Sequence, residues 1–426
     1  MKVQIYAYLF IFFALNLFSC KKFKSFSDDD EITTITSDNE YELLEAINIL
    51  NQNGGTIYID TPVINIVNIT LSLFGEKSGG IIGKRQPNGE YPRLSFINNF
   101  IGRKGSGIAV FGTNKFIEYI IFEHSFTSGV QVFGSNNILD HVISRYNSGS
   151  GFLIHGDFNV LNYCYAYRNF NKDTKTINGD GYSIGGESNN VFNYCFAWDN
   201  SNSGFNYIRS INCSDLSYLH SGSWNNGNIN VFTGKYDYDN GYPLDKNMWT
   251  VQEIIESDEN YVSNYYNKKF SIENAKINGT SINQWINSIS PRMEGEGFSF
   301  GNQNSSQTLE VKRTSFYNAA FNNKAGGLVD NFNHKYNAFF TDCVSFNNYI
   351  NYKFPFYTLS KWSNNWSWNS RIKDNINANQ NLKKPTNTNN AQRQFISIRD
   401  QIKNAVVANM FPDGVNFDTA IRGLNQ

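Results

Sequence analysis

The sequence has little of what metal, nucleotide or nucleic-acid binding requires. Its 5 cysteines and 5 histidines form no Cys-x-x-Cys pair and no zinc-type His/Cys spacing, which excludes a structural zinc site of the common kinds. It also has no glycine-rich phosphate loop and no nucleophile elbow. The formal net charge is −1 and the pI is about 6.5, so no excess of charge points to a nucleic-acid partner.

Long apolar runs are absent beyond the first 20 residues, so no later segment is predicted to span a membrane. Residues 1–20 combine Lys2 with a short apolar run and end in Leu17-Phe18-Ser19-Cys20. This pattern is typical of a lipoprotein signal peptide in which Cys20 is lipidated, with a transmembrane anchor or a buried N-terminal helix as the alternative. Residues 21–36 are predicted to be a flexible tether. Their acidic end resembles the export signals of surface lipoproteins, so we expect a Gram-negative outer-membrane location, with exposure at the cell surface left open.

What the sequence does contain is a repeat of short segments with β-type alternation. Residues 159–169 read NVLNYCYAYRN and residues 190–200 read NVFNYCFAWDN. The repeat also includes Asn137, and its starts are 22 and then 31 residues apart. A period of this size, with apolar and small residues alternating, indicates a solenoid of short strands. We therefore predict an all-β fold, a right-handed parallel β-helix with asparagine ladders along its turns.

The alternation also predicts which side chains face the core. Equivalent residues of the two copies should point inward and stack in pairs: Val160 with Val191, Cys164 with Cys195, and Ala166 with Ala197. Cys343 repeats the cysteine position in a later coil. These cysteines are therefore predicted to be stacked core residues, and whether they or Cys213 form disulfides is left open.

Residues 37–426 are predicted to form one β-helix domain. The segment Ser37–Gln52 is predicted to be a helix that covers the first coil. It starts with a capping box, Ser37-x-x-Glu40, and its apolar residues have helical spacing: Tyr41, Leu44, Ile47 and Leu50. Residues 228–293 interrupt the repeats and are predicted to be a partly helical insertion overhanging a groove. Residues 361–426 are predicted to be a loop-rich tail.

Several short motifs occur in a characteristic order. After the helix come GGTIYI (54–59), GDGY (179–182), NSNSGFN (200–206), GEGFS (295–299) and NNKAGG (322–327). In this order the chain resembles the polysaccharide lyase family 9 group of pectate lyases, over roughly Glu40–Phe354. The resemblance implies a parallel β-helix that cleaves uronate-containing, pectic chains by β-elimination.

In that family a calcium ion held by aspartates neutralises the uronate carboxylate, and a lysine removes the adjacent proton. Asp180 retains the first of these aspartates. Asn202, Ser203 and Asn206 stand where the other three belong, and Ser299 stands at the lysine position. The resemblance thus makes Asp180, Asn202, Ser203 and Asn206 the candidate calcium ligands, with weak affinity expected. Because serine stands at the lysine position, calcium-dependent cleavage of polygalacturonate is expected to be slow or undetectable.

Two lysines, Lys235 and Lys324, are the candidate replacement bases, although either could be an ordinary surface charge. Four residues are predicted to contact substrate: Arg168, Tyr182, Tyr207 and His334. Three interpretations of function stay open. The first is a lyase with altered chemistry that acts on an acidic polysaccharide. The second is a non-catalytic glycan-binding surface lipoprotein, and the third is a β-helix glycoside hydrolase or structural adhesin. We expect a monomer.

Overall fold

The computed structural model describes most of the solenoid and leaves out the two chain ends and the predicted insertion. The described residues are 31–67, 69–96, 105–147, 149–169, 179–185, 189–198, 200, 202–209, 215–224, 226–227, 295–301, 312–321, 323–330, 336–346, 348–368, 370, 372–376 and 382. The predicted signal peptide with Cys20, the insertion at 228–293, Cys213 and most of the tail therefore lie outside them.

The strands form three parallel sheets, A, B and C. Sheet A has eleven strands: β1 (Glu31–Ile35), β2 (Gly55–Ile59), β5 (Gly79–Gly83), β8 (Lys115–Glu118), β11 (Ile138–Asp140), β14 (Val160–Asn162), β17 (Asn190–Asn193), β20 (Leu216–Leu219), β23 (Lys312–Phe316), β26 (Asn337–Thr341) and β29 (Thr358–Ser363). Sheet B has ten: β3 (Val63–Asn65), β6 (Arg93–Ser95), β9 (Ile121–Glu123), β12 (Ile143–Arg145), β15 (Tyr165–Tyr167), β18 (Phe196–Trp198), β21 (Gly222–Trp224), β24 (Ala319–Phe321), β27 (Val344–Phe346) and β30 (Trp366–Trp368). Sheet C also has ten: β4 (Leu71–Leu73), β7 (Ile108–Val110), β10 (Val130–Val132), β13 (Phe152–Ile154), β16 (Tyr182–Gly185), β19 (Phe205–Arg209), β22 (Phe298–Ser299), β25 (Gly326–Val329), β28 (Ile350–Phe354) and β31 (Asn375–Ile376).

From β2 onward each coil passes through sheets A, B and C in turn and then returns to sheet A one coil further along. The strands are short because a residue in the left-handed conformation bends the chain between sheets. Tyr163 (φ 51°) ends the sheet A strand of its coil, and Arg168 (φ 55°) ends the sheet B strand. The predicted parallel β-helix is therefore confirmed.

The packing of the two repeat copies is partly as predicted. Cys164 and Cys195 are fully buried in the single interior cluster, as are Ala166 and Ala197. Val160 and Val191 pair with each other across sheet A, but both are only partly buried. Their neighbours Leu161 and Phe192 point inward instead, so the prediction was wrong for the two valines. Cys164, Cys195 and Cys343 are buried free thiols.

Asparagine side chains connect successive coils at the turns. Asn200 Oδ1 accepts hydrogen bonds from the backbone N–H of Asn169 (3.1 Å) and from its Nδ2 (3.0 Å). Asn169 does the same for Asn147, and Asn226 for Asn200. Because these buried amides satisfy backbone donors that the turn leaves unpaired, they hold one coil on the next. The predicted asparagine ladder is confirmed.

The N-terminal cap also differs in detail from the prediction. Helix α1 spans Glu40–Asn53 and ends at Gly54 (φ 79°). Its N-cap is Asn39, whose side chain accepts from the Glu42 N–H, so Ser37 is not the capping residue. The buried face consists of Leu43, Ala46, Ile47 and Leu50, whereas Tyr41 is 83% exposed.

The folded chain also starts earlier than the sequence suggested. β1, which lies in the predicted tether, pairs in parallel with β2 and extends sheet A by one strand. Within the described part of the chain, no helix is long and apolar enough to cross a membrane.

Candidate functional site

The motifs that carry the family resemblance meet at the turn from sheet B to sheet C. Asp180 lies just before β16, Asn202 and Ser203 lie just before β19, and Glu296 lies just before β22. Parallel pairing places these turns in consecutive coils, and Phe205 pairs with Phe298. Residues 93 positions apart in the sequence, Ser203 and Glu296, are therefore in contact.

The Asp180 carboxylate is fully buried and surrounded by hydrogen-bond donors. Oδ1 accepts from Asn202 Nδ2 (2.7 Å) and from the Ser203 N–H (3.1 Å). Oδ2 accepts from Asn206 Nδ2 (3.2 Å). The structure thus brings together all four residues that the resemblance assigned to calcium, but the three neutral residues donate hydrogen bonds to the carboxylate.

A second carboxylate, Glu296, belongs to the same network and was missed from the sequence. Ser203 Oγ donates to Glu296 Oε2 (2.6 Å), and the Glu296 N–H donates to Ser203 Oγ (3.3 Å). The resemblance places an aspartate of the family at position 203, where this chain has a serine. Here the acidic group is on the other side of this contact. The only signal in the sequence was the acidic residue between the two glycines of GEGFS.

Burial controls the protonation of Asp180. The pKa of its carboxyl is raised from 3.8 to about 8, chiefly because burial removes its hydration. The charge of Glu296 also raises this pKa, and the three hydrogen bonds lower it. A carboxyl with this pKa is mostly protonated at neutral pH. It therefore contributes little negative charge to the turn.

These residues do not fit a calcium ion. Calcium takes six to eight oxygen ligands, usually including several carboxylates. Here both carboxylate oxygens of Asp180 already accept hydrogen bonds from N–H groups, and the Ser203 hydroxyl donates its hydrogen bond to Glu296. Among the residues that the structure describes, no three His, Cys, Asp or Glu side chains lie close enough together to hold a metal.

Ser299 offers no replacement for the family lysine. Its neighbour Phe298 is in the core, so Ser299 points to the outer face of sheet C, where it is nonetheless buried. Its backbone carbonyl accepts from Tyr218 Oη (3.2 Å). A serine hydroxyl without a partner base cannot remove a proton near neutral pH.

Lys324, in contrast, is exposed and close to the same turn. It lies two residues before β25, one coil beyond GEGFS. The next residue, Ala325, donates its N–H to the Gly295 carbonyl (3.1 Å). Partial burial lowers the pKa of the Lys324 amine. A lysine with a lowered pKa holds a larger fraction of the neutral amine that can accept a proton.

The predicted substrate contacts need correction. Tyr182 and Tyr207 are fully buried in the interior cluster, because alternation in β16 and β19 turns them inward. Neither can contact a polysaccharide outside the coil. Arg168 is only 3% exposed and donates to Tyr146 Oη (3.1 Å), so it contributes to packing between coils. Lys235 and His334 lie outside the described residues.

Comparison with known proteins agrees with this architecture. The crystal structure of pectate lyase Pel9A is similar, with a TM-score of 0.53 and 18% identity over 80% of this chain and 74% of that chain. An alginate lyase from Paenibacillus sp. str. FPU-7 has a TM-score of 0.34 and 10% identity over 81% and 99% of the two chains, too distant to carry an argument. No curated protein sequence matches. A family model described as "Pel9A-like, right handed beta helix region" matches residues 25–243, just over half of the chain. The chain therefore belongs to the Pel9A-like right-handed β-helix family.

Proposed function

We propose that this protein binds an acidic, uronate-containing polysaccharide. We also propose that it does not perform calcium-dependent β-elimination at the site that contains Asp180 and Ser299. The observation that carries this proposal is the replacement of metal ligands by hydrogen-bond donors around one buried, largely protonated carboxyl. A lyase of this type needs a cation to neutralise the uronate and a base to remove the proton. The described residues of this turn support neither role. The polysaccharide itself is inferred from the family, and calcium is expected to bind weakly or not at all.

A second candidate function is a lyase whose base is Lys324. Its exposure, its lowered pKa and its position one coil beyond GEGFS favour this alternative. In this reaction the amine would take the uronate proton. The negative charge that develops on the substrate would then need a cationic partner other than a calcium ion held at Asp180.

The two candidates are separated by measuring binding and cleavage on the same samples. We expect calorimetry to detect binding to at least one pectic polysaccharide. We also expect no rise in the ultraviolet absorbance of unsaturated uronates, with added calcium or with chelator. Calcium-dependent cleavage at ordinary lyase rates would contradict the proposal. Calcium-independent cleavage lost in Lys324→Ala, but kept in the exposed control Lys312→Ala, would establish the second candidate.

We further propose that the protein is an outer-membrane lipoprotein anchored through Cys20. The support is the residue pattern before Cys20, followed by a polar segment before β1. Cells grown with labelled palmitate should incorporate label into the protein, and Cys20→Ala should lose both the label and the membrane association. Label retained in Cys20→Ala would disprove lipidation at this residue.

A further inference from the structure

A row of exposed aromatic side chains runs along sheet C in the coils that precede Asp180. In four successive coils an aromatic residue directly follows the sheet C strand: Phe74 after β4, Phe111 after β7, Phe133 after β10 and His155 after β13. The three phenylalanines are 48%, 51% and 40% exposed, and His155 is exposed too. We call this set the aromatic ridge. A contiguous exposed apolar surface of this kind usually marks a binding site.

The ridge is held in register by the backbone. The N–H groups of Phe111, Phe133 and His155 donate to the carbonyls of Leu73 (2.8 Å), Val110 (2.8 Å) and Val132 (2.7 Å) one coil earlier. At the first coil the Phe74 N–H donates to Asn51 Oδ1 of α1 (2.8 Å). The ridge is therefore a fixed feature with one ring per coil, on backbones that lie about 4.8 Å apart.

The three phenylalanine rings of the ridge are stacked on one another along the solenoid axis, and the His155 ring is tilted by 35° against Phe133. The Phe74 and Phe111 centroids are 5.9 Å apart with an interplanar angle of 20°, and those of Phe111 and Phe133 are 5.0 Å apart at 9°. His155 continues the row at 5.7 Å from Phe133. Because the faces cover each other, the ring edges point to solvent. These edges carry the positive part of the aromatic quadrupole.

The ridge reaches the coil of the candidate site. A Cβ at Gly185 would lie 2.9 Å from His155 Cε1, so the imidazole packs directly over the end of β16. Asp180 precedes the same strand by two residues. The ridge also borders the outward row of sheet C, whose members pair across coils: Ser72, Ala109, Gln131, Leu153, Ser183 and Asn206.

We propose that the aromatic ridge is one wall of the polysaccharide site, with an acidic sugar chain lying along the exposed ring edges, beside the outward row of sheet C in which Ala109, Ser183 and Asn206 are buried. This inference rests on the proposed function and adds to it the direction and the residues of binding. The positive ring edges attract the hydroxyl and carboxylate oxygens of uronates.

His155 gives this wall a polar end. Within the described part of the chain, neither of its ring nitrogens makes a hydrogen bond. Burial lowers the pKa of its imidazole, which favours the neutral ring. A neutral imidazole offers one donor and one acceptor to sugar hydroxyls.

The test compares binding of polygalacturonate by the full-length protein and its variants, measured by calorimetry. We expect Phe111→Ser combined with Phe133→Ser to weaken binding about tenfold, because the two central ring edges of the ridge are removed together. Phe111→Ser alone should have a smaller effect in the same direction. Phe356→Ser is the matched control, because Phe356 is 49% exposed in a coil far from the ridge, and it should leave the affinity unchanged. Thermal melting verifies that each variant is folded.

The outcomes separate this inference from the proposed function. If the unaltered protein binds no uronate polysaccharide, the proposed function fails and the ridge proposal fails with it. If the unaltered protein binds but the double variant binds equally well, only the ridge proposal is overturned. It is also overturned if sedimentation shows a dimer that the double variant dissociates while polysaccharide affinity is unchanged, because the ridge would then be an interface between two copies.

Discussion

Truncation of Phe192 to alanine is expected to destabilise the fold by about 3–5 kcal/mol, the usual cost of removing a large aromatic side chain from a core. Phe192 is fully buried, and its ring lies 5.7 Å from Tyr182, 6.0 Å from Phe205 and 5.5 Å from Tyr218 between centroids. These neighbours belong to strands fixed by inter-coil hydrogen bonds, so the cavity cannot close by a small shift. The loss should appear in the midpoint of denaturant unfolding.

The neighbouring residue supplies the control. Val191 lies on the same strand but faces outward and is partly buried, so Val191→Ala should cost only about 1 kcal/mol or less. Both variants remove apolar atoms one position apart, and the difference between them therefore measures which face is the core. Equal effects would contradict the inward and outward assignment of β17.

That assignment also explains which parts of the fold could be predicted from sequence. The repeat period and the fixed asparagines were sufficient for the β-helix and its ladders, because both depend on residues recurring at one position of every coil. The inward face was harder to predict. Counting back by twos from Cys164 places Val160 inward, but the left-handed residue Tyr163 interrupts the alternation. Leu161 and Cys164 are therefore the inward pair, three positions apart.

The candidate site was predictable only in part, for a related reason. The motifs located Asp180 and its three neutral neighbours correctly, because each motif is contiguous in sequence. The contact between Ser203 and Glu296 depends on the pairing of β19 with β22, which no local pattern reveals. Tyr182, the last residue of the GDGY motif, was predicted to contact substrate, yet strand alternation turns it into the core.

The buried carboxyl of Asp180 should make the stability of the protein depend on pH. In the unfolded chain this group loses its proton near pH 3.8, whereas in the folded protein its pKa is about 8. Between these values the folded state holds a proton that the unfolded state has released. The free energy of unfolding should therefore fall as the pH rises from about 4 to about 8, by up to about 1.4 kcal/mol per pH unit.

The variant Asp180→Asn removes this titration while keeping the shape of the side chain. Its absolute stability can be lower, since the new amide meets the donors of Asn202 and Asn206, so the informative quantity is the slope. We expect the difference in unfolding free energy, unaltered protein minus Asp180→Asn, to decrease steadily from pH 5 to pH 8 in urea titrations. Asp60→Asn, at an exposed carboxylate paired with Lys84, should keep the slope of the unaltered protein. If Asp180→Asn also keeps that slope, Asp180 is ionised in the fold, and the three donors around it stabilise a negative charge after all.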